Sequence, residues 1–220
     1  MKKLFFTGIL ILISTGILCL FIDFNSYHTN EKHLPYMDKG IVFSITTFDG
    51  VNETKPFVKC LGHTWLSLDN YSGHSIYLKD YEIKNNETLT FSVWAISAHK
   101  GVYFNLEPNF IKENGRYSGC QSLSINIDEE ELSVIEDYID NNNKWTSIKN
   151  CSYWSIHLWN KIVDDDFKMK TQTIVYTPKK LLKSLKEFDC ITTDKDFSHA
   201  KDIFFYNNGS REVLKLCSRK

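Results

Sequence analysis

The stretch that most restricts this chain is Asn150-Cys151-Ser152-Tyr153-Trp154-Ser155-Ile156-His157-Leu158-Trp159-Asn160. Trp154, Leu158 and Ile162 recur at helical spacing and Trp159 widens the stripe, so the segment is expected as a helix with one buried face, running to about Val163. Asn150 stands where an N-cap satisfies the free N–H groups of the first turn. A thiol at Cys151 then lies at the positive end of the helix dipole, which lowers its pKa and favours the reactive thiolate. A cysteine at a helix start is as often a small core residue, so the chemistry depends on a partner.

That partner is read from Gly62-His63-Thr64-Trp65-Leu66-Ser67-Leu68. The alternation fits a strand, with His63, Trp65 and Ser67 on one face and Thr64, Leu66 and Leu68 on the other. A strand histidine beside a helix-mouth cysteine is the arrangement of a Cys–His nucleophile pair. His157 lies six residues into the helix and faces away from its mouth.

The remaining chain divides into strands followed by helices. Residues 40–48, closed by Asp49-Gly50, read as a strand rich in β-branched residues. Strands are also expected at 74–78, 89–96, 102–106 and 122–127, forming a mostly antiparallel sheet. Asp128 with Glu131 forms a capping box, and Leu132, Ile135 and Ile139 follow at helical spacing toward an end near Asp140-Asn143. Thr177-Pro178 starts another helix with Leu181, Leu182, Leu185 and Phe188 as its buried stripe. Ile203–Tyr206 and Val213–Leu216 flank Asn207-Asn208-Gly209 as a hairpin. The expected class is α+β, an antiparallel sheet packed against helices.

At the N-terminus, Lys2-Lys3 precede an uncharged, mainly apolar run from Leu4 to Ile22, long enough to cross a bilayer as one helix with the lysines on the cytoplasmic side. Residues 1–24 therefore read as a signal anchor, or as a signal peptide cleaved near Ser14-Thr15-Gly16. Cleavage there would leave Ile17–Ile22 exposed, which favours the anchor. Residues 25–39 read as a polar tether and 40–220 as the folded domain. The expected location is membrane-anchored, facing the periplasm or the outside, or secreted if the segment is removed. The Lys, Asn and Ile bias fits an AT-rich bacterial genome.

Export makes the cysteine count informative. Beyond Cys19, the cysteines are Cys60, Cys120, Cys151, Cys190 and Cys217, an odd number. With Cys151 as the catalytic thiol, Cys190–Cys217 and Cys60–Cys120 are one consistent pairing, and four free thiols are another. A net charge of −1 argues against nucleic-acid binding. Cys60-x-x-His63 has no second matching pair, so no metal is expected, and no phosphate loop or other cofactor motif occurs. Sequons stand at Asn52, Asn70, Asn86, Asn150 and Asn208, and a glycan on Asn150 would block the Cys151 site.

The order of strand histidine, further strands, a helix, then Asn-Cys opening a second helix resembles the circularly permuted branch of the papain-like, NlpC-type cysteine hydrolases, which includes the lecithin retinol acyltransferase-like proteins. The matching pieces are Gly62-His63-Thr64-Trp65, Gly101-Val102-Tyr103-Phe104-Asn105-Leu106-Glu107, Asn150-Cys151-Ser152 and Tyr176-Thr177-Pro178, within residues 40–190. The resemblance implies a permuted papain-like core, a Cys151 nucleophile, His63 as general base, and backbone N–H groups at the helix mouth, Cys151 included, for the oxyanion. It also implies a peptide or acyl-amide substrate, with water or another nucleophile as acyl acceptor, and the export signal points to a cell-envelope peptide. A third polar group should orient the imidazole. His99 and Asn105 rank first because they flank the matching Gly101 segment, with His74, Asp69 and Ser92 also open. The alternative is a membrane-tethered binding domain that keeps the fold without catalysis.

Overall fold

The computed structural model describes residues 39–50, 62–114, 117–170, 176–197 and 202–214. Strands come first: β1 (Gly40–Phe48), β2 (His63–Tyr71), the short pair β3 (Ile76–Leu78) and β4 (Tyr81–Ile83), then β5 (Glu87–Ala95) and β6 (Lys100–Phe104). Helix α1 (Leu106–Asn114) follows, then β7 (Gln121–Ile127), α2 (Glu129–Asn141), α3 (Cys151–Ile162) and α4 (Pro178–Leu185). The described chain closes with β8 (Thr192–Thr193), β9 (Phe204–Asn207) and β10 (Ser210–Val213). Eight strands form one sheet in the order β10-β9-β6-β5-β2-β1-β7-β8, and each neighbouring pair is antiparallel. The class is α+β, a large antiparallel sheet packed against a few helices.

Alternation along the central strands gives the sheet two unlike faces. Ile41, Phe43 and Ile45 of β1 lie opposite Asn70, Leu68 and Leu66 of β2, so the apolar residues of both strands share one face. Trp154, Leu158, Trp159 and Ile162 of α3 are buried in the same core cluster. Phe43 stacks on Trp159 at 5.4 Å between ring centroids, and Phe91 meets Trp154 edge-on at 6.2 Å. The other face carries small hydroxyl residues, several of which bond across strands. Ser44 bonds Ser124 at 2.8 Å, and Thr46 bonds Ser122 at 2.8 Å. Beside this row a second cluster forms around Phe48, Trp65, Tyr117, Cys120 and Phe197.

The helix caps follow the sequence chemistry. Asp128 accepts from Glu130 and Glu131 N–H while Glu131 reaches back to the cap backbone, completing the capping box of α2. Thr177 caps α4, with Pro178 at its first position. Several elements depart from the sequence reading. The chain leaves β6 at Phe104 and enters α1, where the sequence suggested a strand to residue 106. β4 and β8 are strands too short for an alternation to register. The final hairpin turns on Asn208 and Gly209, with φ of 48° and 81°, so β10 begins at Ser210 rather than Val213.

Among the described residues, no helix is long and apolar enough to cross a membrane. The expected anchor and tether up to residue 38, and Cys60 and Cys217, lie outside the described residues. Cys120 and Cys190 are free thiols, one buried and one exposed.

Trp159→Ala removes a fully buried ring that stacks on the sheet and should cost about 3–5 kcal/mol in urea denaturation. Val213→Ala, on the exposed edge strand, should change stability by no more than about 0.5 kcal/mol. Equal effects of the two would contradict this placement of the core.

Candidate active site: a cysteine, a histidine and a buried glutamate

The site forms where the mouth of α3 meets the start of β2. Asn150 adopts an extended conformation, and its Oδ1 accepts from Tyr153 N–H at 3.0 Å, capping α3. Its Nδ2 donates to the Tyr176 carbonyl at 3.0 Å, tying the helix mouth to the segment that leads into α4. Cys151 is thus the first helical residue, and it keeps partial exposure. His63 opens β2. Gly62 before it has no room for a side chain, since a Cβ there would lie 2.7 Å from the Phe48 carbonyl oxygen. That close approach pins His63 against the end of β1.

The side chains stand in series. The His63 ring, the Thr64 N–H and the Ser152 hydroxyl surround the Cys151 sulfur, and each favours its negative form. His63 Nε2 bonds Glu107 Oε1 at 3.0 Å, which leaves Nδ1 as the nitrogen for the sulfur. Glu107, in the first turn of α1, is fully buried. Its Oε1 also accepts from Trp94 Nε1 at 2.9 Å, and its Oε2 accepts from Thr90 Oγ1 at 2.9 Å. A dry carboxylate is costly unless donors replace its water, and three donors do so here. The His63 ring is further confined by Trp94, with centroids 4.0 Å apart, and by Trp65 at 5.8 Å.

Electrostatics follow from this order. Burial alone would lower the pKa of His63. The negative sulfur of Cys151 and the Glu107 carboxylate outweigh it and raise the pKa to about 9. Burial would likewise raise the Cys151 thiol. The charge and hydrogen bond of His63, the Thr64 N–H and the Ser152 hydroxyl outweigh it and bring the thiol below its ordinary value. Both shifts favour the thiolate–imidazolium form of the pair. Its protons belong to the pair as a unit, because each charge sets the other.

Of the four site residues expected from sequence, the structure brings Cys151 and His63 together and puts His99 and Asn105 elsewhere. His99 bonds Asn143 Oδ1 at 3.2 Å and stacks on Phe205 at 4.8 Å, lining a separate polar cavity of about 510 Å³. Asn105 sits at φ 59° and shapes the turn from β6 into α1, bonding Thr90 N–H and the Asp202 carbonyl. Asp69 pairs with Lys195 and Thr88, and His74 with Glu129. Ser92 donates to the Thr64 carbonyl at 2.7 Å and so braces the backbone beside His63. His157 packs on Tyr153 and Tyr176; burial, then the nearby Lys149, lowers its pKa.

The group that holds the imidazole is Glu107, which the sequence reading passed over. A signal for it was present. Glu107-Pro108 is the acid-and-proline pattern of a helical first turn, and Phe110 and Ile111 continue it. Reading Val102–Leu106 as a strand concealed that start. Comparison with protein-family models, with curated proteins and with solved structures finds nothing that matches the chain.

The ultraviolet absorbance of a thiolate should be present near neutral pH, remain in Cys120→Ala and Cys190→Ala, and disappear in His63→Ala. Absorbance unchanged in His63→Ala would rule out the ion pair.

Proposed function

We propose that the chain is a thiol hydrolase acting on amide bonds, with Cys151 as nucleophile, His63 as proton carrier and Glu107 holding the imidazole. One observation carries this reading: Cys151, His63 and Glu107 stand in series at the mouth of a helix, the imidazole acting on the sulfur on one side and bonded to the buried carboxylate at 3.0 Å on the other, with the sulfur still partly exposed. The order of strand histidine, further strands, a helix and a helix-mouth cysteine is what a permuted papain-like core would present, and that likeness rests on this order and on the sequence motifs alone.

The chemistry runs in two halves. The thiolate attacks the amide carbon, and the carbonyl electrons move onto oxygen, next to the Cys151 N–H at the helix mouth. When the tetrahedral adduct collapses, the imidazolium gives its proton to the departing amine and a thioester remains. His63, now neutral, takes a proton from water or another acceptor as that nucleophile attacks the thioester, and the thiolate leaves. Glu107 keeps the ring in place through both steps and balances its charge. The substrate class is a peptide or an acyl amide. The apolar N-terminal run supports an exported, membrane-anchored enzyme, and a cell-envelope peptide fits that location.

A thiol-directed electrophilic probe tests the proposal. Labelling should vanish in Cys151→Ala, survive in Cys190→Ala and slow by roughly a hundredfold or more in His63→Ala. Amide hydrolysis should rise with pH as the thiol ionises and fall as His63 loses its proton near pH 9, because only the imidazolium can protonate the leaving amine. Labelling carried by Cys190 instead would leave a tethered binding domain as the better reading.

A further inference from the structure

Behind the nucleophile lies a row of three buried hydroxyls that the catalytic steps do not use. Ser152, the residue after Cys151, is fully buried, and its Oγ lies 2.9 Å from Thr64 Oγ1. Thr64 Oγ1 lies 3.0 Å from Thr47 Oγ1. Thr47 and Thr64 are directly paired across β1 and β2 and are also fully buried. At the far end, Thr47 Oγ1 is 3.3 Å from the Pro178 carbonyl at the start of α4 and 3.3 Å from the His63 carbonyl.

Three protons serve four contacts, so one contact is always empty; an empty contact inside the row would set two oxygens face to face at 2.9 or 3.0 Å without a proton, which leaves two favoured states with the empty contact at one end or the other. Each hydroxyl has one proton to donate, and each carbonyl only accepts. If Thr47 donates to a carbonyl, its oxygen is free to accept from Thr64. Thr64 then accepts from Ser152, and Ser152 has no proton left for the sulfur. If Ser152 donates to the sulfur and no contact inside the row is left empty, Thr64 donates to Ser152 and Thr47 to Thr64, leaving the Pro178 and His63 carbonyls without the Thr47 proton. Both states contain three hydrogen bonds. They differ in whether the last bond ends on the sulfur or on a carbonyl at the opposite end.

We infer that Ser152, Thr64 and Thr47 form a reversible hydroxyl relay whose direction follows the charge on the Cys151 sulfur. While the sulfur is a thiolate, the row points at it and supplies a donor. When the sulfur is protonated or acylated, all three hydroxyls rotate and the row ends on the Pro178 or His63 carbonyl. No proton leaves its oxygen, and no bond other than a hydrogen bond changes. The three are positioning residues that act through the sulfur, and the inference rests on the nucleophile reading of Cys151.

The relay makes a signed prediction. Ser152→Ala removes the donor to the thiolate. Thr47→Val removes the acceptor needed by the other direction, so Thr64 has only Ser152 to donate to and the thiolate-directed state gains. Thiol pKa is measured from the pH dependence of Cys151 alkylation by iodoacetamide, in full-length variants whose near-ultraviolet circular dichroism matches the parent. Ser152→Ala should move the midpoint up by about one pH unit, the weight of one hydrogen bond to a charged group. Thr47→Val should move it down by roughly a few tenths of a unit, with hydrolysis at low pH rising in step. An unfolded chain returns an ordinary cysteine value, which is higher, so a downward shift cannot come from lost structure. If Ser152→Ala does not fold, the sign for Thr47→Val decides alone. A depressed parental midpoint that neither variant moves, or that both move upward, overturns the relay and leaves the nucleophile intact. A parental midpoint at the ordinary cysteine value removes both.

Discussion

A carboxylate with no water around it is the constraint on which the site depends. Glu107 is fully buried, and the interior tolerates its charge because His63, Trp94 and Thr90 all donate to it. Each donor comes from a strand, His63 from β2 and the other two from β5, while the carboxylate comes from α1. The pairing of β2 with β5 and the entry of the chain into α1 must therefore both be right before the imidazole has a fixed place. Without the carboxylate and the sulfur, burial would strip His63 of its proton. With them, the ring favours its charged form, and that charge lowers the pKa of the Cys151 thiol in a site where burial alone would favour the neutral form.

The two-faced sheet explains how such a site coexists with a stable core. One face buries aliphatic and aromatic side chains against α3, which fixes the helix and with it the position of Cys151. The other face buries hydroxyls that bond one another across strands, and its polar row leads to Glu107 through Thr90. His63 stands at the edge between these regions, at the first residue of β2. Gly62 permits the close approach that holds it there. Cys151 is carried by the apolar packing and His63 by the polar face.

What could be read from the sequence follows from how each feature is encoded. The α3 helix was legible because Trp154, Leu158 and Ile162 mark a period and Asn150 marks a start. The alternation of β1 and β2 was equally plain, and so was the α+β class. Glu107 was not legible as the third group, because its role is set by a contact with a strand 44 residues earlier and no local pattern encodes it. Proximity in sequence to the Gly101 segment favoured His99 and Asn105 instead. Yet Asn105 is spent on the turn that aims Glu107, and His99 is held by Asn143 on a separate cavity. The edge strands β4 and β8 were missed for a different reason: two or three residues carry no alternation.

The most direct measurement of the central claim is the charge state of His63, followed by NMR of its ring nitrogens as pH is raised. The account predicts an imidazolium that persists to about pH 9 in the resting protein and gives way at much lower pH once Cys151 is replaced by alanine. A His63 ring already neutral near pH 7, or one whose titration ignores the loss of the sulfur, would contradict it.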